Sequence, residues 1–322
     1  MLKKLGAVAA LMAMGGAAWA QDHLTPTDVA EGGEIWATMT ARVAYGKGAI
    51  KSSSFDLDVT AESLQFQLEA GVGIGNNLEV SASLPTQPWN DSNGDGTFGA
   101  VDVKTQAQDI GFGDMDLRVT YAIFREGTGT PQWIIGLLGT MPTGSTSEGS
   151  DEVEIGGVQV SDLRKGGLGD GVVDYGFGTG ISKEMGGMTL YVIAQFVIGG
   201  TRRENGVDED RADVVTLLAG AQIPIGVDAR LDVRMGLFHK SEDVTENMGF
   251  EAKEEAHFNY LGGVDLIFGI GLGWSLVAGG SAVVVEDHEA DKAAVPIPTI
   301  DGFWQGELHV GLHFDFGGKK KK

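Results

Sequence analysis

The 322-residue sequence has no cysteine. Neither disulfides nor thiolate metal sites can hold it together, so its own hydrogen bonds must. It also lacks any run of 18 or more apolar residues beyond the N-terminal leader, which argues against a membrane protein built from helices. Basic residues are scarce. Lys and Arg number 23 against 45 Asp and Glu, a net charge of −22, and removing Lys3 and Lys4 takes it to −24. Phosphate binding needs basic surface, so nucleic acid is excluded as a partner. No internal repeat stands out.

What is present points elsewhere. Glycine is abundant, at 51 residues, which weakens helices and suits tight turns and strand bends. The last strand alternates almost without fault. Trp304, Gly306, Leu308, Val310, Leu312, Phe314 and Phe316 share one face, and Gln305, Glu307, His309, Gly311, His313 and Asp315 share the other. A period of two with a continuous apolar face is what a transmembrane β-barrel requires, because in lipid every backbone group must pair with a neighbouring strand. The aromatic C-terminal strand also resembles the assembly signal of Gram-negative outer-membrane barrels.

The N-terminus reads as an address. Lys3 and Lys4 precede an apolar, small-residue stretch from Leu5 to Ala18, and Ala18-Trp19-Ala20 fits a cleavage site. The expected organisation is a signal peptide over 1–20, a periplasmic segment over 21–33, an outer-membrane barrel over 34–316 and a basic tail over 317–322, with Lys319–Lys322 solvated. No Cys follows the cleavage site, which argues against lipoprotein anchoring.

Alternation predicts an all-β, antiparallel barrel of about 12 strands, at 34–45, 63–74, 78–85, 112–124, 132–141, 172–184, 188–199, 212–225, 228–239, 257–268, 272–285 and 303–316. Short connections alternate with long ones at 46–62, 86–111, 142–171, 200–211, 240–256 and 286–302. Short periplasmic turns and long extracellular loops are the rule in such barrels, and an even strand count puts both termini in the periplasm. A soluble β-sandwich also alternates, but needs no charged interior. The predicted inward charges are Arg42, Glu69, Glu79, Asp114, Asp116, Arg118, Asp174, Lys183, Arg230, Asp232, Arg234, Asp265, Glu307, His309 and Asp315. They predict a narrow channel, partly plugged by side chains or by 21–33.

The middle of the chain carries Gly111-Phe112-Gly113-Asp114-Met115-Asp116-Leu117 with Tyr121 after it, then Met141-Pro142-Thr143-Gly144, Asp174-Tyr175-Gly176-Phe177-Gly178 and Ile181-Ser182-Lys183. Over about 60–316 this resembles the MetA-pathway phenol-degradation family of outer-membrane transporters. The resemblance implies a barrel that passes small, aromatic or apolar solutes. Pro-Thr-Gly also has a plain structural meaning, since Pro ends a strand and Gly begins a loop.

One segment reads as a metal site. Asp91, Asn93, Asp95, Thr97 and Asp102 stand at positions one, three, five, seven and twelve of a calcium loop, with Gly96 at the turn and Phe98 as an apolar anchor. Ca2+ is the expected cofactor. The closing Asp departs from the EF-hand Glu and resembles a dockerin-type loop. A polar turn rich in Asp, Asn and Gly has the same composition.

The segment charges are −3 for 86–111, −4 for 142–171, −1 for 200–211, −4 for 240–256 and −4 for 286–302. Such a rim attracts cations, or binds divalent ions that bridge it to lipopolysaccharide. Catalysis is disfavoured. His309 and His313 lie near Glu307 and Asp315, but no Gly-x-Ser-x-Gly is present, and four residues along a strand, about 13 Å, separate the imidazoles too far for one metal. The expectation is a passive channel whose partners are outer-membrane lipid, lipopolysaccharide, the barrel-assembly machinery and a small solute. The alternatives are a surface-binding barrel with calcium-ordered loops and no transport, and, less favoured, a barrel hydrolase.

Overall fold

The computed structural model describes residues 29–53, 55–109, 111–127, 129–144, 149–162, 172–204, 207–247, 250–289 and 299–316. The expected signal peptide over 1–20, residues 21–28 and the tail over 317–322 lie outside them.

Twelve strands form the wall: β1 Ile35–Lys51, β2 Phe55–Ile74, β3 Leu78–Phe98, β4 Met115–Phe124, β5 Gln132–Met141, β6 Tyr175–Met185, β7 Met188–Ile198, β8 Val214–Pro224, β9 Ala229–Lys240, β10 His257–Gly271, β11 Trp274–Val285 and β12 Thr299–Phe316. Each pairs antiparallel with its sequence neighbour. β1 also pairs with β12, from Ile35 opposite Phe316 to Lys51 opposite Thr299, which closes the barrel and removes its free edges. Closure leaves no shared core between two sheets, so the sandwich alternative falls.

Alternation then decides what each face meets. Met39, Leu68, Leu137, Phe177, Met235 and Leu308 are large, apolar and exposed on the outside. Aromatic residues gather at the two ends of this band. Tyr45 meets Trp304 at 5.7 Å, the rings tilted, toward the long connections, while Phe124 meets Trp133 at 6.0 Å and Trp274 meets Phe314 at 4.5 Å toward the short ones. An apolar belt flanked by aromatic girdles matches a wall facing hydrocarbon. The short turns use glycine where the backbone turns left-handed, as at Gly186 (φ 62°) and Gly187 (φ 86°).

The long-connection end differs from the sequence expectation. Much of what was predicted as loop is strand. β1 and β2 remain paired from Ile35–Val72 out to Lys51–Asp56, and β3 continues through the predicted loop to Phe98. Val101–Asp109, Gly149–Ile155 and Val158–Asp162 add three further strands to this sheet extension. Thr201–Glu204, Val207–Asp210, Asp243–Asn247 and Phe250–Glu254 form a separate four-stranded sheet. These arms lie beyond the apolar belt, so their faces need not be continuously hydrophobic, and Gly, Asp and Ser within them read as loop.

Candidate functional site in the barrel lumen

The inward faces of adjacent strands assemble a charged strip around the wall. Arg42 on β1 lies 4.0 Å from Glu307 on β12. Glu307 lies 3.3 Å from His309, whose Nε2 is 2.9 Å from Asp265 on β10. Asp265 also pairs with Arg234 on β9. Next to it on β9, Asp232 accepts hydrogen bonds from Tyr191 (2.7 Å) and Gln222 (3.1 Å), which reach it from β7 and β8. Elsewhere on the wall, Glu69 and Arg118 are 3.9 Å apart, and Thr140 donates to Asp116 at 2.7 Å. Pairing makes these charges tolerable away from bulk water.

Glycine makes room for this strip. A Cβ on Gly220 would meet the Tyr191 hydroxyl at 2.4 Å, and one on Gly279 would meet Asp265 Oδ1 at 2.1 Å. The bare backbone there lets a long polar side chain lie flat on the neighbouring strand.

Apolar side chains occupy the lumen beside the strip. Ala122, Ile134, Ile193, Leu218, Phe238, Leu261 and Val283 form one buried cluster, together with Val29 and Tyr191. Ile50, Leu57, Val59, Ile300 and Phe303 form a second one nearer the long-connection end. A cleft of about 30 Å³ remains beside Asp116, Arg118, Leu138, Thr140 and Gln195, room for little more than a water. At the short-turn end, residues 29–33 lie against the inner wall. Ala30 N donates to Glu79 at 2.6 Å, and Arg125 donates to the carbonyls of Val29 and Ala30 at 3.3 Å each. Gly73 permits the approach, since a Cβ there would meet Glu31 O at 2.0 Å.

Most predicted inward charges take their places in this lining. Lys183 does not. Ser182 is the buried residue of that pair, so alternation turns Lys183 outward, where it binds Glu126 at 3.2 Å across the short turn. Asp114 and Asp174 sit at strand ends and hold loop backbone: Asp114 accepts from Gly144 N at 2.7 Å, and Asp174 from Gly200 N and Arg211 at 2.8 Å each.

The five predicted calcium ligands are not gathered at one point. Asp91, Asn93, Asp95 and Thr97 follow one another along extended β3, and Asp102 lies across the hairpin from Thr97. Four residues of strand separate Asp91 from Asp95 by about 13 Å. Gly96 is not at the turn. It faces Leu57, and a Cβ on it would meet Asp56 O at 1.9 Å, so strand contact explains this glycine. The turn falls at Gly99, φ 62°. Calorimetric titration with calcium is expected to give the same heats for the native chain and Asp95→Ala. A saturable heat that Asp95→Ala abolishes would show that this arm unpairs to wrap the ion.

A further polar group, outside the residues the sequence singles out, lies at the long-connection end. Glu254, His257 and His288 come together there, all buried, with Lys240 donating to Glu254 at 3.1 Å. Burial alone would raise the Glu254 carboxyl, but the Lys240 ammonium and the hydrogen bond with His288 hold it down at about 2, so it is ionised at neutral pH. The signal available was a repeated Glu-x-His step, Glu255-Ala256-His257 and Glu286-Asp287-His288.

No protein-family model matches the chain, and no curated protein matches it in sequence. Solved structures do match it in fold. The COG4313 outer membrane channel from Pseudomonas putida F1 superposes with a TM-score of 0.59 at 11% identity, covering 92% of this chain and 100% of that one. The transport unit of the autotransporter AIDA-I from Escherichia coli superposes with a TM-score of 0.50 at 10% identity, covering 96% and 97%. The fold of this chain is that of a twelve-stranded outer-membrane β-barrel.

Proposed function

We propose that this protein is an outer-membrane channel for small solutes of aromatic or apolar character, with the short turns in the periplasm and the strand extensions outside the cell. The observation that carries this reading is the two-sided lumen. The packed cluster of Ile134, Ile193, Leu218, Phe238 and Leu261 would meet an apolar solute as it parts, and the strip from Arg42 to Asp232 offers polar contacts beside it. Likeness in fold to an outer membrane channel supports the reading. The aromatic end of β12 at Phe316 supports recognition by the barrel-assembly machinery. Lipid meets the apolar belt, and lipopolysaccharide meets the outer rim.

The carboxylates Glu69, Glu79, Asp116, Asp232, Asp265 and Glu307 outnumber the guanidiniums of Arg42, Arg118, Arg230 and Arg234 along the lumen. The channel is therefore expected to prefer cations over anions. Reversal potentials in a salt gradient across planar bilayers check this. An anion preference, or no conductance from folded protein, would contradict the proposal. Swelling of proteoliposomes in small aromatic solutes, against sugars of similar size, tests the solute class.

A further inference from the structure

Two segments at the outer end carry the same three-residue step, ending in His257 and His288. In both, the imidazole Nδ1 lies against the backbone carbonyl two residues earlier: 2.9 Å to Glu255 O and 2.7 Å to Glu286 O. For His288 this contact occupies Nδ1 and leaves Nε2 as the atom turned to the site, whereas His257 has its Nδ1 itself 3.8 Å from Glu254 Oε1. Metal-ligating histidines are oriented in this way by a backbone acceptor. The Nε2 of His288 then faces Glu254 Oε1 at 3.1 Å. A proton shared between these two atoms makes a hydrogen bond, and a metal ion that displaces that proton would take both electron pairs.

The surrounding frame is built. One donor atom from each of Glu254, His257 and His288 lies within 4.8 Å of the others. The two rings stack with centroids 3.7 Å apart, and each side chain is 3% exposed. Glu255 N donates to Glu289 O at 2.9 Å and Glu286 N to Phe258 O at 2.9 Å, so the two segments are already side by side. Lys240 bonds the other oxygen of Glu254 at 3.1 Å and reaches Asp243 at 3.4 Å, as an outer partner of a ligating carboxylate would. Asn259, two residues along the same inward face of β10, is wholly buried, and neither of its amide atoms has a partner among the described residues. Such a polar group is costly unless something pairs with it.

We propose that Glu254, His257 and His288 bind a divalent first-row transition ion, with Zn2+ as the ligand class, and so staple the connection between β9 and β10 to that between β11 and β12. Two imidazoles and one carboxylate suit such ions, while hard Ca2+ and Mg2+ prefer all-oxygen sites. Zinc with N and O ligands at about 2.0–2.2 Å brings its donors to roughly 3.3 Å from one another. The donors already lie 3.1 Å and 3.8 Å from Glu254 Oε1 and all within 4.8 Å, so they close by at most about 1.5 Å, a change within side-chain torsion.

The test uses the full chain refolded in detergent and titrated with Co2+ and Zn2+ alone. The expected result is one Co2+ per chain with the visible absorption of a low-coordinate site, displaced by Zn2+ and retained in millimolar Ca2+. His288→Ala and Glu254→Gln are each expected to lower Zn2+ affinity at least tenfold, whereas His239→Ala leaves it unchanged. Glu254→Gln is nearly isosteric and carries the comparison if His288→Ala does not refold. Absence of a cobalt spectrum from folded native protein, displacement by Ca2+, or native Zn2+ affinity in either ligand variant would overturn the site.

Discussion

Leu312→Arg is expected to impair insertion of the folded barrel by about 1–2 kcal/mol, because Leu312 lies on the lipid face between the bilayer midplane, where a guanidinium costs about 2–4 kcal/mol, and the Trp274–Phe314 girdle, where the cost falls to about 0–1 kcal/mol. Leu312 is 37% exposed on the outer wall, opposite Met39 of β1 and Leu276 of β11, so an arginine there has only hydrocarbon to meet. The neighbouring position predicts the opposite. The His313 side chain is 30% exposed, faces the lumen, and contacts Thr38 at 2.7 Å and Asp315 at 2.9 Å. His313→Arg keeps a cation beside Asp315 and is expected to cost less than about 1 kcal/mol, the scale of a rearranged, partly exposed ion pair. Urea titration of both variants in lipid vesicles, read by tryptophan fluorescence, measures the difference. Equal costs would invert or abolish the assigned faces. Asp232 is not a tolerant control position of this kind, because Tyr191 and Gln222 both donate to it.

Asp265→Ala is expected to have the second large effect, lowering stability by roughly 2–4 kcal/mol. Asp265 is the shared partner of Arg234 and His309, and its side chain is 11% exposed. Removing it leaves the guanidinium in the lumen wall without its nearest counter-charge. The estimate lies at or below the range for fully buried pairs because the Arg234 side chain is 20% exposed to the lumen. Arg234→Met in the same background should recover part of the loss, since both charges are then gone. Asp265→Ala is also expected to weaken cation preference in the reversal-potential measurement, whereas the doubly neutral variant returns toward the native value. A single variant with native stability and native selectivity would mean that the strip is not a paired unit.

The wall was legible in the sequence because lipid imposes the strictest pattern. β12, β9 and the belt part of β2 alternate as read, and their residues face the predicted way at Leu308, Val233 and Leu68. The outer arms were not legible. From Phe55 to Glu62 and from Gln87 to Phe98 the strands leave the belt, and glycine, serine and aspartate there serve strand contact and solvation instead of turns. The same effect produced the apparent calcium motif, since residues spaced two apart along a strand match the spacing of the first ligands of a calcium loop. The partners of the lumen charges depended on register, which pairs Asp232 with Asp265 and Arg42 with His309 and cannot be counted from alternation alone. The Glu254, His257 and His288 group escaped because two connections about thirty residues apart bring it together.

The absence of cysteine opens the most direct test of the central claim, that the wall separates lipid from a polar lumen. Single cysteines placed in turn at positions 307 to 313 of β12, in protein inserted into vesicles, can be probed with a water-soluble, membrane-impermeant thiol reagent and, after fluorophore attachment, with a lipid-phase quencher. The account predicts a period of two. Positions 308, 310 and 312 should be quenched from lipid and resist the aqueous reagent, and positions 307, 309 and 313 should react from water and escape the quencher. Uniform reactivity along the strand, or reaction at the even positions in place of the odd, would contradict it.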